Sequence, residues 1–184
     1  MKLLDGRRVG PCAVAGAILP VHHRETARHV AALLGELQPV AVVHLGLAEG
    51  RARLALERVA LNVMDYRVPD NAGYRAEGEP CVSGGPPAYL ATLPLPEILA
   101  ALTVDGIPAY VSNTAGTFLC NQTLYQTLHE IAMRELATRA GFVHLPLLPA
   151  MVATAGLDRP SMDLALMLRG METLLRVVSD ALVP

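Results

Sequence analysis

The stretch "IPAYVSNTAGTFLCNQTLYQTLH", Ile107 to His129, carries three kinds of signal in one run. "IPAYVSN" is apolar and compact enough for a strand. "SNTAG" is a turn of small residues, and Gly116 permits the tight backbone such a turn needs. The residues from about Thr117 to Arg139 then follow a helical pattern, with Cys120 near its start. A strand, a short turn and a helix in that order form the repeating unit of an α/β sheet.

The same alternation extends to both sides. Upstream, "RRVGPCAVAGAILPV" reads as a strand ending at Pro20, and "HRETARHVAALLGELQ" as a helix spaced on Ala27, Val30, Ala31 and Leu34. "VAVVHLGL" is a continuous apolar run, as expected of a strand buried on both faces. "RLALERVALNVMDY" alternates, but its phase slips between Glu57 and Arg58, which predicts a bulge or bend beside Glu57. From "RVPDNAG" to "SGGPP" the Gly/Pro-rich chain reads as loop, and "PEILAALTVDG" as a short helix opened by Pro94 or Pro96. Downstream, "GFVHLPLLP" is a strand broken by Pro146 and Pro149. "SMDLALMLRGMETLLRVVSDALV" is a closing helix with Ser161 as its N-cap. The pattern predicts one domain over residues 1–184, a three-layer α/β/α sandwich around a mostly parallel, mixed sheet.

Composition narrows the function classes. Hydrophobic residues make up 52% and charged residues 17%, as in a globular chain. A net charge of −2 gives no electrostatic footprint for nucleic acid. No apolar run is long enough to span a bilayer, and "MKLLDGRRVG" lacks a signal-peptide core, so a cytoplasmic location is expected. Three widely spaced cysteines, Cys12, Cys81 and Cys120, are neither a disulfide framework nor a zinc-binding pair.

Cys120 stands out because free N–H groups at a helix start favour a thiolate and can hold an oxyanion. Core filling is the plainer alternative for a cysteine. A nucleophilic thiol needs a base. His129 is nine positions along the same helix, about 13 Å away and too far for proton transfer. His22, His23 and His29 read as solvated, and His44 as a satisfied core histidine. His144 lies two residues before the strand-ending Pro146, near the carboxyl end of a strand, where α/β folds bind ligands. Glu57, at the strand distortion, is the candidate to orient its imidazole. A simple ion pair with Arg53 or Arg58 is the alternative reading of Glu57.

"ERVALNVMDYRVPDNAG", "VSNTAGTFLCN" and "GFVHLPLLP" together resemble the signature regions of the type I pyroglutamyl peptidases, also called pyrrolidone carboxyl peptidases. The resemblance runs from about Leu4 to Pro149, without the strand and Phe-x-Pro-Phe-Gly-Gly loop that usually open that family. It implies a phosphorylase/hydrolase-like fold and a thiol exopeptidase that removes N-terminal pyroglutamate from peptides. In that scheme Cys120 is the nucleophile, His144 the base and acid, and Glu57 the orienting carboxylate. By the same resemblance Arg67 lies beside the active site, Phe118 and Leu119 contact the lactam ring, and Val68 forms an apolar wall. Gly46 and Leu47 belong to the oxyanion-side loop. The resemblance also implies no metal or organic cofactor, and a homo-oligomer, commonly a tetramer. The alternative is a shortened, non-catalytic or weakly active homologue that serves as a binding or assembly partner.

Overall fold

Period-two alternation sorts the strand side chains onto two faces, and the two faces carry different chemistry. Leu54 and Leu56 point into one apolar layer, while Ala55 and Glu57 between them point to the other side. The computed structural model describes residues 3–182. In chain order its elements are β1 (Arg8–Val9), β2 (Cys12–Ala13), α1 (His23–Leu37), β3 (Ala41–Leu47), β4 (Leu54–Glu57) and β5 (Val59–Leu61). Then follow β6 (Met64–Asp65), β7 (Glu77–Glu79), β8 (Ala88–Leu90), α2 (Leu95–Val104), β9 (Ala109–Ser112) and α3 (Leu119–Met133). The chain closes with β10 (Arg139–Leu145), α4 (Pro149–Ala155) and α5 (Leu164–Asp180).

The central sheet has four strands in the order β3-β10-β4-β9. The β3–β10 and β4–β9 pairs are parallel, and β10 runs antiparallel to β4, so the sheet is mixed as expected. On one face, Ile98 and Leu102 of α2 and Met171 and Leu174 of α5 pack on Leu54, Leu56 and Val143. On the other, Val30 and Leu34 of α1 and Leu124 and Leu128 of α3 pack on Ala140 and Phe142. Phe142 and His144 are two apart on β10 and therefore share this second face with Glu57 of β4. The fold thus gathers the polar candidates on the α1/α3 side.

Several local expectations change. The run to Pro20 is not one strand: Gly10, at φ +56°, turns it into the small β1–β2 hairpin. The phase slip at Glu57 is a break rather than a bulge, because β5 leaves the central sheet to pair with β8. Helix α3 ends at Met133 instead of Arg139, which already belongs to β10. Asp163, not Ser161, caps α5 by accepting from the Ala165 N–H; Val183, the last residue of that expected helix, lies outside the described residues. The Pro149 break opens the short helix α4.

Strand β3 is half-buried rather than covered on both faces, because it borders the sheet and pairs only with β10 among the described residues. A cavity of about 650 Å³ lies against it, lined by apolar side chains such as Leu34 of α1 and Leu174 and Val178 of α5. His44 opens toward this cavity and its Nε2 is 2.8 Å from Thr127 Oγ1 on α3, the satisfied histidine expected. Burial pulls its imidazole down to about 4 from 6.5, so the folded state keeps it neutral while the unfolded chain takes up a proton. Stability attributable to His44 is therefore complete above pH 6.5 and declines as the pH falls from 6.5 to 4. We predict that His44→Gln, which keeps a partner for Thr127, flattens the decline in melting temperature across that window. Identical pH profiles for the two proteins would contradict this assignment.

Candidate active site

Helix α3 begins at Leu119, so Cys120 sits in its first turn, and Phe118 is the N-cap residue with extended backbone. Gly116, at φ +80°, makes the turn between β9 and this helix. The turn is pinned from several sides. Asp65 N–H donates to the Thr117 carbonyl at 3.0 Å, and Thr117 Oγ1 donates to the Asp65 carbonyl at 2.7 Å. Asn121, fully buried, accepts from the Leu61 N–H and donates to the carbonyls of Leu61 and Val63. The "CN" pair therefore combines a thiol with the amide that anchors it.

Against the thiol lies Gly46 of β3. A methyl group there would stand 3.0 Å from Cys120 Sγ and 2.6 Å from Phe142 Cζ, so only glycine lets the strand approach this closely. Gly46 is in register with His144 on β10, which brings the imidazole strand and the thiol to the same point of the sheet. His144 Nδ1 is 2.7 Å from Glu57 Oε1, and both side chains are buried. A hydrogen bond there puts the proton on Nδ1 and frees Nε2 as an acceptor. Glu57 Oε1 also accepts from Arg51 Nη1 at 2.8 Å, so the cation beside it is neither Arg53 nor Arg58, the pair named in the alternative reading. Arg58 bonds Asn113, and Arg53 lies over the Tyr110 ring.

The structure alters the picture of the thiol. Burial, with the Glu57 charge as a second contributor, pushes Cys120 up to about 11, and Arg51 opposes this incompletely. The helix start therefore does not leave a free thiolate at neutral pH. Cys81 is pushed up to about 11 by burial as well, its Sγ donating to the carbonyls of Leu61 and Val63. Cys12 packs beside Ser179.

The remaining expected residues divide. Leu119 is buried with Met64, Tyr66 and Ala76, and Phe118 meets Tyr66 edge-on at 4.7 Å. Tyr66 continues to Tyr74, and Tyr74 stacks on His23 at 3.8 Å, so an aromatic row invisible in the sequence backs the turn that presents Cys120. Leu47, exposed, ends β3 beside Gly46. Arg67 borders a polar recess of about 470 Å³ with Glu49, Gly50, Asp158, Arg159 and Pro160, and Val68 is exposed. No hydrogen bond ties either of them to Cys120, His144 or Glu57 among the described residues. His23 is not solvated as expected: its Nδ1 meets the buried Asp70 at 2.8 Å. His22, His23 and Asp70 offer three potential metal ligands within 4.8 Å of one another. Their rings are stacked nearly parallel, though, and each group already has a structural task. His22 caps α1, and Asp70 accepts backbone N–H groups of His23, Ala72 and Tyr74.

A thiol at a strand–turn–helix, an imidazole at a strand end and a buried carboxylate behind it make a Cys-His-Glu arrangement. Residues 1–181 match the model of the pyroglutamyl peptidase family. The chain belongs to the pyroglutamyl peptidase family. It is 38% identical to the pyrrolidone-carboxylate peptidase of Coprothermobacter proteolyticus over 99% of its own length and 88% of that protein's. It is 42% identical to the Pyrococcus furiosus pyrrolidone-carboxylate peptidase over 82% of this chain and 73% of the relative. The solved structure of pyrrolidone carboxyl peptidase from P. furiosus superposes with a TM-score of 0.95 at 37% identity, covering 99% of this chain and 89% of the other. The three-layer, mixed-sheet architecture is thus that of the pyroglutamyl peptidases.

Two measurements test this site. Alkylation of Cys120 by iodoacetamide is expected to rise about tenfold per pH unit from 7.5 to 9.5, as for a neutral thiol well below its pKa. A plateau below pH 8 would instead reveal a preformed thiolate. Gly46→Ala is expected to lower thiol reactivity and any turnover at least tenfold while the protein stays folded, since the added methyl must displace Sγ or the Phe142 ring. Unchanged reactivity in that variant would sink the close-approach argument.

Proposed function

We propose that this protein is a thiol exopeptidase that releases N-terminal pyroglutamate from peptides, with Cys120 as nucleophile, His144 as general base and acid, and Glu57 as its orienting carboxylate. The observation that carries the reading is the 2.7 Å contact between His144 Nδ1 and the wholly buried Glu57. It fixes the tautomer in which Nε2 accepts a proton.

His144 Nε2 takes the proton of the Cys120 thiol as sulfur attacks the pyroglutamyl carbonyl. Backbone N–H groups at the start of α3 are the proposed donors to the charge that develops on the carbonyl oxygen. The tetrahedral intermediate collapses with loss of the amine, which receives its proton from His144. Water, deprotonated by the same imidazole, then cleaves the thioester and regenerates the thiol. Because the resting thiol is neutral, His144 does work that a helix start alone cannot. Phe118 and Leu119 are the proposed contacts of the lactam ring, Val68 and Arg67 the surrounding wall, and Gly46 and Leu47, at the end of β3, the oxyanion side.

A shortened, non-catalytic binding protein is the weaker reading, because such a role leaves no reason for a buried, paired carboxylate aimed at the imidazole. We further propose that residues 1–184 form one domain, that the protein is cytoplasmic and that it assembles as a homo-oligomer. Among the described residues no helix is long and apolar enough to cross a membrane.

The test is release of a fluorophore from a pyroglutamyl amide. Cys120→Ala is expected to abolish turnover. Glu57→Gln, which keeps the shape but loses the charge, is expected to lower kcat by about 10²–10⁴-fold. Turnover of the wild type no faster than that of folded Cys120→Ala would refute the proposal.

A further inference from the structure

We infer that Arg51 is a positioning residue of this machinery: it locks the Glu57 carboxylate behind His144 and ties it to the turn that presents Cys120. The inference rests on the roles proposed above for those three residues. Glu57 is fully buried, and of its two oxygens Oε2 has no hydrogen-bond partner. Both contacts fall on Oε1, one from the imidazole at 2.7 Å and one from Arg51 Nη1 at 2.8 Å. Without the guanidinium, a single hydrogen bond from the imidazole would hold the carboxylate.

The guanidinium bridges three pieces of backbone. Nη1 also donates to the Tyr110 hydroxyl on β9 at 2.9 Å, and Nη2 to the Thr114 carbonyl at 3.3 Å. Thr114 lies in the turn before the nucleophile, where its Oγ1 accepts the Gly116 N–H. One planar fork therefore spans β4, β9 and the turn leading to Cys120, a geometry that a lysine ammonium cannot reproduce. The local chain is built for this reach. The Arg51 N–H closes a turn on the Ala48 carbonyl, with Gly50 in its third position at φ +86°.

The charge matters as well as the fork. The ionisable groups facing this point are Glu57, His144, Cys120 and Tyr110, with Arg53 over the Tyr110 ring at 4.5 Å. Arg51 offsets the charge of the buried carboxylate. Removal of Arg51 also takes away a cation that favours the Cys120 thiolate, so the thiol ionises at higher pH.

The experiment uses Arg51→Lys and Arg51→Met in the full chain. It reads kcat and KM for a pyroglutamyl amide between pH 5 and 10, together with the pH dependence of Cys120 alkylation. Arg51→Met is expected to lower kcat 10–100-fold with KM within threefold, and to raise the acid limb of kcat/KM by about one pH unit. Arg51→Lys is expected to hold that limb near the wild-type position, by restoring charge, while recovering only part of kcat. Should Arg51→Met fail to fold, the Lys variant carries the test, and wild-type kcat in it would overturn the inference. Losses confined to KM, or a lower melting temperature with unmoved pH limbs, would likewise overturn it. Wild-type turnover independent of Cys120 would instead defeat the peptidase reading, and the alkylation profile still reports on Arg51 in that case.

Discussion

A carboxylate with no solvent exposure is the constraint around which this molecule is arranged. Burying the charge of Glu57 is costly unless it is paired, and both of its close partners arrive from other parts of the chain. β4 ends at Glu57 and the chain then leaves the central sheet, because the next strand has a different partner. β10 must run beside β4 in the register that sets Phe142 opposite Glu57, or His144 would face the α2/α5 layer instead. The turn after β3 must fold back to deliver a cation. Sheet order, register and loop conformation are thus tied to one side chain.

The thiol shows two effects in competition. A helix start favours negative charge, and on that ground alone Cys120 would be partly ionised. Burial disfavours the same charge, and a carboxylate nearby adds to the effect. Burial wins. A buried, neutral thiol is less open to adventitious oxidation and alkylation than a thiolate.

Much of this was legible in the sequence where periodicity and punctuation are strong. The "SNTAG" turn, the helix behind it, the apolar run of β3 and the phase slip beside Glu57 each came from local pattern, and each corresponds to a structural event. Glu57 and His144 meet as their strand positions suggested, and Cys120 lies on the same side of the sheet, against Gly46. Arg51 was not legible: in "GRARLALER" three arginines look alike, and only the Gly50 turn selects the one that reaches the carboxylate. The ends of α3 and α5 depend on packing and capping rather than on composition, which is why both were misplaced. The aromatic row from Phe118 to His23 joins residues far apart in the chain, which no local pattern can reveal.

Among the described residues strand β3 is held by backbone hydrogen bonds from one side, yet it carries the glycine against which the Cys120 thiol rests. Its free side faces an apolar cavity whose lining includes no Asp, Glu, Lys or Arg. A strand supported this way opens at lower free energy than the doubly paired β10 and β4. Mild heat or low concentrations of denaturant would therefore loosen the wall behind Cys120 before the helical layers separate. Loss of activity is therefore expected to precede global melting, with the sheet border setting the first event.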